Sequence, residues 1–106
     1  MRLQVRGVSI PTTPAITRHA ERRVRSAAAR LNSHVRGVAV RISDLSGPKG
    51  GRDKLCVMEA QLAGGGGVVR IEEAGDDLYA VIDRAAGRLK QVLSRKVDRK
   101  VDHRAR

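Results

Sequence analysis

The apolar residues of this chain change period along its length, and that change most narrows what the chain can fold into. Leu3 and Val5 alternate with Arg2, Gln4 and Arg6, the period of two that marks a strand with one buried side, expected over Arg2 to Ser9. Ile16, Ala20, Val24, Ala27 and Leu31 then recur at helical spacing behind Thr13 as N-cap and Pro14 as first helical residue. Asn32-Ser33 is the expected stop. Alternation returns at Val38, Val40 and Ile42, and continues through Lys54 to Leu62 and Val68 to Glu73, two strands joined by glycines 64 to 67. From Asp76 the spacing is helical again. Leu78, Ile82, Ala85, Leu89, Val92 and Leu93 make one stripe, with Gly75 or Asp76 as the expected cap and Asp76-Asp77 suiting the positive end of the helix dipole. This helix is expected to reach Arg99 or so, with 101–106 a disordered basic tail. The order βαβββα predicts a single α+β domain over residues 1–100. Its four-stranded sheet carries both helices on one face, and its first two strands are parallel because a helix joins them.

A chain of 106 residues with no Phe or Trp and only Tyr79 must build one small core from aliphatic side chains. It contains no apolar run of about 18 residues, so no membrane span is expected, and its first residues lack the apolar block of a signal peptide, which predicts a cytoplasmic protein. Cys56 alternates with Met58 and Ala60 and reads as a packing residue rather than a reactive thiol. His19, His34 and His103 have no ligand spacing, so neither metal nor cofactor is expected. Gly47-Pro48-Lys49-Gly50 has the GxxG form of an RNA clamp but lies between strands, where a plain turn is the better reading. Lys49, Arg52 and Lys54 could still add phosphate contacts. The four-glycine run lacks the ending of a P-loop. No cluster of His, carboxylate or Lys has catalytic spacing, so the sequence predicts no enzyme and no small-molecule substrate.

Charge supplies the functional signal. The net charge is +11, and it is concentrated at the two ends. Residues 1–36 carry eight Arg against one Glu, residues 84–106 nine Lys or Arg against two Asp, and the middle five basic against eight acidic residues. Such a distribution predicts a polyanionic partner. At 100° per residue, Arg84, Arg88, Arg95 and Arg99 fall within about 60° of one another, beside the apolar stripe. Arg18, Arg22 and Arg25 form a similar row on the first helix, with His19, Arg23 and Arg30 flanking the core. Rows of Arg without acidic partners repel one another, so phosphate is the expected counter-charge. The candidate RNA-binding set is Arg18, Arg22, Arg23, Arg25, Arg30, Arg84, Arg88, Lys90, Arg95, Lys96 and Arg99. With one aromatic residue the chain has no platform for stacking splayed bases, which favours backbone phosphates of structured RNA read by shape.

The run GDDLYAVIDRAAGRLKQVL, Gly75 to Leu93, resembles the signature of the ribosome hibernation promoting factors, the sigma-54 modulation family that includes ribosome-associated inhibitor A. Asp77, Leu78, Tyr79, Ala80, Ile82, Asp83 and Leu89 match it, and Arg88 stands where the family has Lys. The front of the chain fits as well, with a strand ending in Gly7, a Thr-initiated helix and Val38-x-Val40. The resemblance implies a double-stranded-RNA-binding-like fold on the small ribosomal subunit, where mRNA and tRNAs would bind, blocking translation in idle ribosomes without a cofactor. It implies Arg22, Arg23, Arg88, Arg95 and Lys96 as RNA-facing. Gln91 and Val97 depart from the pattern, standing where basic residues are usual. Long members pair ribosomes through a C-terminal dimerisation domain; this chain, ending at Arg106, is expected to be a monomer. The rival reading is a general structured-RNA module acting off the ribosome.

Overall fold

The computed structural model describes residues 1–8, 12–44 and 53–104, with side chains through residue 98. The expected Ser46 to Asp53 loop, with Lys49 and Arg52, lies almost wholly outside the described residues, as does the side chain of Arg99. The elements run β1 (Arg2–Gly7), α1 (Pro14–Ala28), a 3-10 segment (Ala29–His34), β2 (Val35–Asp44), β3 (Lys54–Leu62), β4 (Val68–Gly75) and α2 (Leu78–Arg104). The sheet order is β1-β2-β3-β4. β1 and β2 are parallel, as the α1 crossover requires, and the remaining pairs are antiparallel hairpin neighbours.

The register shows where the core lies. Val5 faces Val40, Val40 faces Met58, and Met58 faces Ile71, so one apolar row crosses all four strands. Both helices pack on that side: Ala20 and Val24 of α1 and Val81, Ile82, Ala85, Leu89 and Leu93 of α2 are fully buried with Val40, Ile42, Cys56 and Met58. Aliphatic side chains alone fill the core. Burial pushes the Cys56 thiol up to about 12, with the Glu73 charge adding to it, so at neutral pH it stays protonated and inert.

Local chemistry accounts for the element ends. Thr13 caps α1 by accepting from the Ile16 backbone N–H at 3.2 Å, and Pro14 opens the helix. The α-helix stops at Ala28 rather than Asn32; Leu31 leaves helical geometry at φ −113°, ψ 17°, and the tighter 3-10 turn steers the chain into β2 while keeping Leu31 buried. The cap of α2 is Asp77, not Gly75 or Asp76: its carboxylate accepts from Tyr79 N–H at 3.1 Å and its carbonyl from Val81 N–H at 2.9 Å. Acid charge at the first turn was legible; which acid closes the helix depends on where the β4 backbone leaves the sheet. α2 continues to Arg104, past the expected Arg99. Gly37 is required by β1, because a Cβ there would lie 2.9 Å from the Arg2 carbonyl oxygen. In the β3–β4 turn Gly64, Gly65 and Gly67 hold φ of 63°, 73° and 89°, the left-handed region that glycine enters without strain.

Candidate nucleic-acid interface

On the face of the sheet away from the helices, two arginines are paired with acids. Arg41 and Arg70 both bond Glu59, and Arg70 also reaches Glu72 at 3.5 Å. This is the cross-strand pairing expected of a solvated sheet surface, while Arg2 and Arg6 of β1, exposed on the same face, have no ion pair among the described residues.

The helix side is different. Arg18, Arg22 and Arg25 of α1 are exposed and line an open concavity in which the acid is Glu21. Arg30, Lys90, Arg95 and Lys96 are exposed too. Helical periodicity places Arg18, Arg22 and Arg25 opposite the buried stripe of Ala20, Val24 and Ala27, and Arg95 on the flank of α2 towards β4. Gln91 is exposed in the same α2 row as Arg84, Arg88 and Arg95. Val97, by contrast, is 6% exposed and belongs to the core, so an apolar residue there serves packing where α2 runs beyond the sheet.

Two members of the expected α2 row have partners within the fold, contrary to the expectation of unpartnered rows. Arg88 bonds the Glu73 carboxylate and donates to the Glu72 carbonyl at 3.1 Å. Arg84 contacts the other Glu73 oxygen at 3.4 Å and donates to the Ala74 carbonyl at 2.9 Å. β4 is the last strand of the sheet, and the two guanidiniums take up backbone acceptors along it, which blunts an otherwise open edge. Arg84 also lies over Gly75, where a Cβ would sit 2.7 Å from its Nη2. Each guanidinium remains about half exposed, with donors to spare. The signal missed in the sequence was Glu73 itself, an acid in register with the buried side chains of Val69 and Ile71.

Arg23 is the third partnered candidate. Asp83 of α2 receives His19 Nε2 at 2.8 Å and lies 3.1 Å from Arg23 Nε. The Arg23 contact is an ion pair out of line for a hydrogen bond, leaving that buried Nε without one. The His19 ring meets Tyr79 edge-on with centroids 4.9 Å apart. This ring contact positions Tyr79, which is 42% exposed. Together these residues lock α1 to α2 and fix the spacing of the basic rows.

The hydrogen bond from Arg88 holds the Glu73 carboxyl below the ordinary glutamate value, outweighing the opposing effect of burial, and Arg84 lowers it further. A depressed folded-state pKa stabilises the protein at neutral pH; that contribution persists down to the ordinary pKa of about 4.3 and is lost as pH falls through the depressed value. Glu73→Gln should therefore lower the Tm at pH 7, and the gap to the parent should narrow as both are taken below about pH 4.3 towards pH 3. A gap that stayed constant across that range would show that the ion pairs contribute nothing.

Among the described residues no group of three or more His, Cys, Asp or Glu is placed to hold a metal ion, and no helix is long and apolar enough to cross a membrane. Comparison with solved structures finds the same architecture elsewhere. The N-terminal domain of Thermus thermophilus Protein Y is 30% identical, with 90% of this chain and 98% of that one covered at a TM-score of 0.72. A ribosomal subunit interface protein from Coxiella burnetii shares the fold at a TM-score of 0.71 and 18% identity, covering 90% of this chain and 96% of that one. No curated protein sequence matches. Residues 3–101 match the family described as sigma 54 modulation protein / S30EA ribosomal protein, and the chain belongs to that family.

Proposed function

We propose that this protein is a cytoplasmic, non-catalytic, ribosome-associated translation inhibitor that occupies the decoding region of the small subunit, its basic helix rows on rRNA phosphates. The observation that carries the reading is the asymmetry of the two faces. On the sheet face Glu59 and Glu72 pair Arg41 and Arg70 and leave Arg2 and Arg6 without an ion pair among the described residues, whereas Arg18, Arg22, Arg25, Arg30, Lys90, Arg95 and Lys96 stand exposed on the helix side. A surface that concentrates unpaired like charge on one side is suited to a polyanion of matching shape. Family membership makes the ribosome the leading polyanion, and the Coxiella neighbour's description as a ribosomal subunit interface protein accords with it. The protein acts as a monomer in this reading; Arg84 and Arg88 occupy the β4 edge of the sheet, and β1 forms the other.

Sedimentation through a density gradient at physiological salt tests this. The ribosomal reading predicts co-migration with small subunits or whole ribosomes. A protein that stayed at the top of the gradient yet bound a free RNA duplex would instead be a structured-RNA module acting off the ribosome.

A further inference from the structure

The seam between α1 and α2 holds a cleft of about 90 Å³, walled by Arg23, Ser26 and Ala27 from α1 and by Ala86, Gly87 and Lys90 from α2. Three features set it apart from ordinary helix packing. Two basic residues, Arg23 and Lys90, line one small space with no acid among its walls, an arrangement whose self-repulsion an anion would relieve. Arg23 has a buried Nε without an aligned hydrogen bond, and Asp83, which holds it by ion pairing, stands outside the cleft. Finally, Gly87 has no packing reason to be glycine. A Cβ at Gly37 or Gly75 would collide at 2.9 or 2.7 Å, but one at Gly87 meets nothing within 4 Å. Glycine weakens the middle of a helix relative to alanine, and here its visible effect is to leave the cleft floor open.

We propose that this cleft seats one backbone phosphate of the RNA partner. Arg23 and Lys90 supply charge, Ser26 supplies a hydroxyl donor, and Asp83 holds Arg23 in place. The inference rests on the reading of the protein as an rRNA binder and deepens it to a named subsite.

The test measures binding to purified small subunits over a salt series. Gly87→Leu fills the space with a strong helix former. It should raise the Tm by about 4 °C, weaken subunit binding at least ~10-fold, and make the slope of log affinity against log salt shallower by about 1. Lys90→Gln should weaken binding in the same direction. Higher stability with weaker binding is a combination that a purely structural glycine would not produce. Arg95→Glu, outside the cleft, is run alongside. If Arg95→Glu weakens binding and Gly87→Leu does not, the seat is wrong while the ribosomal reading stands. If the parent does not bind small subunits, both fall.

Discussion

Shortening Leu89 to Ala should cost about 2–5 kcal/mol of folding stability, a large share of the ~5–15 kcal/mol typical of a domain. Leu89 is fully buried in the middle of α2, within the core that joins both helices to the sheet. That core contains no aromatic side chain able to swing into the space, so the cavity would stay largely open and neighbouring atoms would lose their dispersion contacts. At ~4–8 °C per kcal/mol for a domain of this size, the Tm should fall by at least about 10 °C. Gln91→Ala, two residues on and exposed, should stay within ~0.5 kcal/mol. Thermal unfolding followed by circular dichroism gives both values. A Leu89→Ala variant melting close to the Gln91→Ala variant would contradict the placement of the core.

The fold was largely readable because every element is amphipathic at its own period. Strands alternate and helices repeat at 3.6, so Val40, Met58 and Leu89 announce both their element and its buried side. The parallel β1–β2 pair follows from having a helix between them. What escaped lies at junctions. Leu31 is buried whether the turn around it is α or 3-10, so its hydrophobicity could not show where α1 stops. Asp76 and Asp77 look equivalent in sequence, and only the exit of β4 makes Asp77 the cap.

The interface was readable in part, for a related reason. Helical periodicity reports which residues of one helix share a side, but not what another element brings to them. Arg84, Arg88 and Arg95 form one row on the wheel. Glu73 from β4 reaches only the first two, because the strand ends where α2 begins and the helix then runs on past it. Asp83 engages Arg23 in the same way, across 60 positions of sequence. Charge counting therefore overstates how much of the basic surface is free. Arg84, Arg88 and Arg23 hold the fold together as well as contributing charge.

That distinction decides the most direct test of the central claim. Arg22 and Arg95 are exposed, one on each helix, and neither has an ion pair among the described residues. Reversing both to Glu leaves the Glu73 and Asp83 contacts intact, so the Tm should stay near the parent's, unlike a reversal of Arg88. Binding of the double variant to purified small subunits, measured across a salt series, should weaken by at least ~2 kcal/mol, with a slope against log salt shallower by roughly 1–2. Arg70→Gln, on the sheet face and already paired with Glu59 and Glu72, should change little. Unchanged affinity and slope in a folded Arg22→Glu, Arg95→Glu protein would contradict the account, reducing the basic rows to solvated helix faces.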